Sequence, residues 1–408
     1  MDTTTMSQSS FNFRLAAVAA ACLGLYSTTA SAVDWGGYFR TGPGATKKDA
    51  ARACYGLGGA GLKYRLGNEC DFYGEFLLSQ GFKADGVEYK ANLMTNLYSP
   101  GTDTGAGATP LDSSKLGINQ MYVEGKGYDI APEASFWIGK RFYGRADVHI
   151  VDTFYVNLSG VGAGVDNISA GGAKLNFAYF RTDGGATNPG SRVNLDLHDL
   201  ETNPGGKLRV VGTFTNGDFS GGKSGFGLTF QHNQDNVFGL GGGNTLWLQL
   251  AQGSAGLDGG FGNLAADSGT RGLRIVESLT WQMGPLGGQA QAMVQQDKDG
   301  ASGLKTTSSS IGARASYAVT RNLKVLAEAG YSQKKPDGAS TQKLAKLTVG
   351  PALSTGPGFW NRPELRLYVT TAKWNAAANT AAGAAGVTGI GDGKTTGTSY
   401  GAQVEIWF

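Results

Sequence analysis

The chain closes on Tyr400-Gly401-Ala402-Gln403-Val404-Glu405-Ile406-Trp407-Phe408. Tyr400, Val404, Ile406 and Phe408 alternate with Gln403 and Glu405. A period of two puts the two sets on opposite sides of a β-strand, so one face is apolar and the other polar. A final Phe suits a membrane barrel, whose aromatic side chains gather at the lipid–water boundary. Trp407 shares the polar face with Glu405, which points its indole into the lumen. A broad ring face there is suited to stacking on a sugar.

The same alternation recurs upstream. Residues 206–214 place Leu208, Val210 and Phe214 against Lys207, Arg209 and Thr213. Residues 271–282 place Leu273, Ile275, Leu279 and Trp281 against Arg274, Ser278, Thr280 and Gln282. Residues 322–331 set Leu323, Val325 and Tyr331 against Lys324 and Glu328. Each is about the nine to eleven residues that cross a bilayer as a tilted strand. Such segments predict about eighteen strands, from 35–42 through 152–159 to 398–408. Asn203-Pro204-Gly205-Gly206, Gly284-Pro285-Leu286-Gly287-Gly288 and Thr320-Arg321-Asn322 read as tight turns. Residues 99–117 and 376–396 read as long loops. The fold expected is all-β: a transmembrane antiparallel barrel with long extracellular loops, wide enough for an aqueous channel. No linker divides 33–408, so one domain is expected. A Gly-rich solenoid would need a fixed repeat, and the sequence has none.

Composition narrows the class. The 66 glycines alone could suggest disorder, but 19 Phe, 16 Tyr and 7 Trp supply enough apolar surface for a core. A net charge of +3 is too small for a nucleic-acid footprint. Residues 1–32 read as a secretory signal: Arg14, an apolar run from Leu15 to Leu25, and Ala30-Ser31-Ala32 before a mature start at Val33. Ala19-Ala20-Ala21 before Cys22 lacks the large aliphatic residue of a lipoprotein signal. No other run approaches eighteen apolar residues, which excludes a helical membrane protein but not a barrel. Cys54 and Cys70 form the one cysteine pair of the exported chain and should oxidise. Two free thiols are the alternative. The bond would close a loop of about fifteen residues, a stabilisation of roughly 3 kcal/mol.

Two motifs are decoys. Gly217-Asp218-Phe219-Ser220-Gly221-Gly222-Lys223-Ser224 fits the phosphate-loop pattern, but that chemistry needs a helix next, and Gly225 to Phe230 reads as a strand. His149, His198 and His232 have no metal-ligand spacing. His198-Asp199 could be half of a hydrolytic site, yet no activated serine or cysteine motif accompanies it.

Gly139 to Asp152 is different. Lys140, Arg141, Arg145, Asp147 and Asp152 crowd around Phe142 and Tyr143. Interleaved charges after a strand containing Trp137 suit a loop folded into the barrel, narrowing the pore and meeting a permeant.

With these motifs in view the chain resembles the maltoporins, trimeric sugar-specific porins of Gram-negative outer membranes. The resemblance rests on Val33-Asp34-Trp35-Gly36-Gly37-Tyr38-Phe39-Arg40, Lys63-Tyr64-Arg65-Leu66-Gly67-Asn68-Glu69-Cys70 and Gly139 to His149. It rests also on Trp360-Asn361-Arg362-Pro363, Ala372-Lys373-Trp374 and Gly401 to Phe408. Residues 215–350 match poorly. The resemblance implies an eighteen-stranded barrel with an inward-folded third loop, and a slide of aromatics for α-glucans at Tyr38, Tyr73, Trp360 and Trp407. Strand parity agrees, since Tyr38 shares a face with Arg40, Tyr73 with Asp71 and Glu75, and Trp360 with Arg362, Glu364 and Arg366. The implied polar track is Arg40, Arg65, Glu75, Arg145, Asp147 and Asp152. Three departures stand out. The tryptophan that loop two of a neighbouring subunit contributes in the family has no counterpart in 99–117. The family's constriction tyrosine corresponds to Phe154. A mid-slide aromatic aligns near Gly243, with Trp247 a possible substitute.

The expected function is a sugar-selective outer-membrane porin for maltose- or maltodextrin-like permeants, without chemistry or cofactor. Its partners would be carbohydrate, outer-membrane lipid and, by resemblance, two further copies in a homotrimer. A general diffusion porin or a porin for another carbohydrate is the first alternative, and a barrel hydrolase around His198 the second.

Overall fold

A computed structural model describes residues 33–46, 53–99, 115–182 and 186–408. The expected leader, 1–32, and residues 100–114 of the second long loop lie outside the described residues.

The alternating segments form eighteen antiparallel strands, each hydrogen-bonded to its neighbours in sequence. The first, Asp34–Thr41, pairs with the second, Phe72–Ala84, and with the last, Thr396–Trp407, so the sheet closes. Closure leaves no unpaired edge, which a bilayer would not tolerate. The faces fall as parity requires. Leu273 and Ile275 are 58% and 55% exposed while Arg274 and Ser278 are buried. An apolar exterior around a polar interior is stable only in lipid. Strands such as Arg271–Met283 have 13 residues, about 40 Å at roughly 3.3 Å per residue, enough to cross when tilted. One rim carries the tight turns at 85–86, 171–172, 204–205 and 284–285, and the other carries the long connections.

The strand expected at 152–159 is not in the wall. Thr153–Val156 forms a small hairpin with Ala146–Val148 inside the barrel, and the wall strand is Gly160–Ala170. Tyr155, Val156 and Leu158 are fully buried in the lumen, so apolar side chains there mark an inner packing surface. The Gly-rich start of the true strand hides its alternation. The inward loop therefore spans 142–159, and Lys140 and Arg141 belong to the strand Ala131–Arg141. Arg141 is a wall residue, paired to Asp166 at 2.9 Å and stacked on Trp137.

Two further segments fold inward. Residues 53–71 bury Tyr55, Leu62, Tyr64 and Leu66 against the opposite wall. A Cβ on Gly312 or Gly330 would lie 2.5 or 2.0 Å from the Tyr64 ring, so this contact requires glycine at both wall positions. Residues 254–266 enter beside them. Backbone bonds tie the three together: Arg65 N–H donates to Ile150 O at 3.0 Å, and Asn157 N–H to Asp258 O at 2.8 Å.

The Cys54–Cys70 disulfide is formed, with Cα atoms 5.9 Å apart, and closes the base of the first inward segment. Replacing both cysteines by serine should lower barrel stability by about 3 kcal/mol, read as an earlier loss of the folded band on heating. Alkylation of the unreduced protein should label neither residue. Two reactive thiols would contradict the bond.

Candidate functional site

Aromatic residues climb one wall of the lumen. Trp407 lies opposite Tyr38 in the strand register, and Arg40 lies opposite Tyr73. The Tyr38 and Tyr73 rings are 6.3 Å apart, and those of Trp360 and Trp407 6.5 Å. The His149 ring sits 5.4 Å from Trp360 and 5.8 Å from Trp407. Parity explains Tyr38, Tyr73 and Trp407. It does not explain Trp360: the strand begins at Glu364, and Trp360 lies in the turn before it. Its ring is set by edge contacts to Phe359 and His149.

Behind the rings runs a dense ion network. Glu405 accepts from Arg65, Arg362 and Arg366 at 3.1, 2.9 and 3.2 Å. Glu69 meets Arg65 and Arg40 at 2.6 and 3.0 Å. The Tyr38 hydroxyl donates to Glu405 at 3.1 Å and accepts from Arg65 at 2.7 Å. Burial would raise the Glu69 carboxyl, but Arg65 and Arg40 hold it down to about 2. Burial also pushes the His149 imidazole down to about 4. Arg65 lies 3.2 Å from its Nδ1, and Arg362 and Glu405 lie 3.5 and 3.6 Å from its Nε2. Buried pairs of this kind fix geometry more than they stabilise, and here they fix where the aromatic wall stands.

The structure splits the expected polar track. Arg40, Arg65 and Asp152 lie within the network, Asp152 meeting Arg40 at 3.2 Å and Arg65 at 3.5 Å. Glu75 accepts from Tyr73 at 2.5 Å and Asn119 at 2.8 Å. Arg145 is clamped between the rings of Phe142 and Phe154, 4.1 and 3.8 Å from their centres. Phe154 thus has a role its missing hydroxyl does not reveal: its ring stacks on the Arg145 guanidinium. Among the described residues neither Arg145 nor Asp147 forms an ion pair.

Asp147 and Phe154 are partners in the inner hairpin, and one borders each of two cavities. Toward the long loops a space of about 660 Å³ is lined by Phe154, Leu257, Asp258, Arg274 and Gln295. Toward the tight turns a space of about 390 Å³ is lined by Asp147, His149, Trp247, Ser278, Gln289, Trp360 and Trp407. Trp247 is 3% exposed, and no hydrogen-bond partner reaches its buried indole N–H. It lines the same cavity as the other two tryptophans, its ring 5.6 Å from that of Tyr155. His149 carried no positive sign in the sequence, although its place six residues after Tyr143 put it on the inward loop.

Neutralising Asp147 and Asp152 together should shift ion preference toward anions, because Arg145, Arg40 and Arg65 would remain. Reversal potential in a salt gradient reads this, and an unchanged potential would place the narrowest charges elsewhere.

The decoys resolve plainly. The phosphate-loop look-alike joins the strands Gly206–Gly217 and Ser224–Asp235 as a hairpin. The partners of His198 are Asp199 at 3.0 Å and Asn176 at 3.3 Å, with no serine or cysteine among them.

A family profile for LamB porins matches residues 33–408. Among solved structures, OccAB1 of Acinetobacter baumannii is 12% identical, with 92% of this chain and 96% of that one covered and a TM-score of 0.54. OpdK of Pseudomonas aeruginosa, solved with vanillate, is 8% identical, with 92% and 98% covered and a TM-score of 0.50. Both are similar in fold.

Proposed function

We propose that this chain, which belongs to the LamB porin family, is an outer-membrane porin that passes short saccharides of the maltose and maltodextrin type by facilitated diffusion. The observation that carries the reading is the cavity of about 390 Å³ with Trp247, Trp360 and Trp407 on its walls and Asp147, Ser278 and Gln289 between them. Flat apolar rings cover the C–H faces of a pyranose, and polar groups take its hydroxyls. Tyr38, opposite Trp407 in the register, and Tyr73, 6.3 Å from it, continue the rings along the same wall. A succession of weak sites favours transport, because a single tight site would slow exit. The mechanism has no bond-breaking step: a sugar trades water for ring contacts, passes Arg145 and Asp147, and is released.

The test is conductance of single channels in a planar bilayer with maltose-series sugars added. Reversible, concentration-dependent block is expected. A current indifferent to every sugar would leave a general diffusion porin.

A further inference from the structure

The larger cavity, on the long-loop side, is separate from the tryptophan-lined one. The three inward segments border it with Ala60, Phe154 and Asp258, and the wall strands Gly243–Gly253, Arg271–Met283 and Leu286–Lys298 close it from outside. None of those strands carries Tyr38, Tyr73, Trp360 or Trp407. Arg274 lines the cavity and is only 5% exposed.

Buried arginine in this lumen is otherwise paired. Arg40, Arg65, Arg314, Arg362 and Arg366 each have a carboxylate oxygen at 2.6–3.2 Å. Among the described residues, the two buried arginines without an ion pair are Arg192 and Arg274. Arg192 is wedged between the rings of Phe180 and Phe261 and donates to Leu158 O and Ser159 O. Arg274 meets neutral acceptors: its Nε donates to Gln249 Oε1 at 2.8 Å, and its terminal nitrogens to Gln295 Oε1 and Tyr155 O at 3.3 Å each. Each terminal nitrogen keeps a second N–H. A buried cation without a counter-ion, bordering an open space, is half of an ion pair.

The acids of the cavity have other donors. Asp258 Oδ1 accepts from the Gly260 N–H at 2.9 Å, Asp297 Oδ2 from the Gln295 amide at 2.8 Å, and Asp299 Oδ1 from the Ser302 N–H at 2.7 Å. Each retains a second oxygen that can accept from a hydroxyl. Arg271 and Lys298, partners in the register, add positive charge at the long-loop end, and neither forms an ion pair among the described residues. The arrangement matches a polyhydroxy acid. Its carboxylate would accept from the Arg274 guanidinium, and its neighbouring hydroxyls would donate to Asp258 and Asp297. A phosphate dianion fits worse, because the same acids repel its second charge.

We propose that this cavity is a second saccharide site, selective for sugars that bear a carboxylate, with Arg274 as its anion-binding residue. The proposal rests on the saccharide reading and extends it: neutral units follow the aromatic wall, and an acidic unit is held on Arg274 at the long-loop side.

The test is single-channel current block by maltose and by maltobionate, the same disaccharide oxidised to a carboxylate at its reducing end. Maltobionate should block the wild type at about tenfold lower concentration than maltose, the scale of one charge-assisted hydrogen-bonded contact. Arg274→Gln should bring the two blocking concentrations together. Ala60→Phe, which fills the cavity and leaves Arg274 in place, should do the same, and it decides if Arg274→Gln does not fold. Equal block by the two sugars in the wild type, or an advantage of maltobionate that survives in Arg274→Gln, overturns the proposal and leaves the saccharide reading standing. Block by maltobionate alone, lost in Arg274→Gln, supports the proposal and overturns the reading for neutral sugars. Block by neither sugar overturns both. Relief of the maltobionate block by an equal concentration of acetate would also overturn the proposal, because the site would then be one for any free carboxylate.

Discussion

Glu328→Ala is expected to destabilise the folded barrel by about 3–5 kcal/mol, the usual cost of stranding buried charge. Glu328 is fully buried and holds two cations, Arg314 at 2.7 Å and Lys346 at 2.9 Å. It also accepts the Leu66 N–H at 2.9 Å, while Lys346 donates to Leu66 O at 2.8 Å. One carboxylate therefore joins three wall strands to the inner segment 53–71. Alanine would leave Arg314 and Lys346 without a counter-charge and remove the acceptor of the Leu66 N–H, leaving Leu66 O held by Lys346 and Thr348. Glu328→Gln should fall between, because an amide oxygen can still take the Leu66 N–H. Two readouts apply: the temperature at which the folded form disappears on a gel, and single-channel conductance. Conductance should become larger and noisier as the segment loosens. Wild-type stability together with wild-type conductance in Glu328→Ala would mean that the segment is held elsewhere.

Trp407→Ala should weaken saccharide block by about 1–2 kcal/mol, roughly five- to thirtyfold in affinity. The indole borders the lower cavity beside Trp360 and His149, with the Arg362 guanidinium 4.3 Å from its ring centre. Removing it takes away a stacking surface and widens the path, so ion conductance should stay equal or rise. A loosened inner segment would make the current noisier and lower the temperature at which the folded form disappears, which separates the two outcomes. Affinity should level off at short oligosaccharides, because the cavity is small and Phe154 offers a clamp for Arg145 rather than a hydroxyl for sugar. The measurement is current block by glucose polymers of increasing length. Block identical to wild type at every length would remove Trp407 from the sugar path.

Several of these residues were legible from period-two alternation alone. The inward aim of Tyr38, Tyr73 and Trp407 follows from their parity with Arg40, Glu75 and Glu405. Trp360 was placed on the right side for the wrong reason, since its turn and not a strand orients it. The segment 152–159 was misplaced because alternation reports an extended chain with two unlike faces, and the inner hairpin has that property as surely as the wall. Trp247 could be proposed as a lumen ring but not positioned, because its partners come from strands far away in sequence.

The sequence by itself determined the barrel, about eighteen strands, the lumenal face of the clearly alternating ones and the cysteine pair. These depend on local period and on a single binary choice between lipid and water. Only the tertiary structure decided how the lumen is filled. Residues 53–71 and 254–266 carry no local sign that they fold inward; only the interleaved charges of 139–152 suggested that direction. Their direction is set by contacts hundreds of residues apart, such as Tyr64 against Gly312 and Gly330 or Leu66 on Glu328. The channel exists where those three segments leave space, and that space is a property of the packed whole.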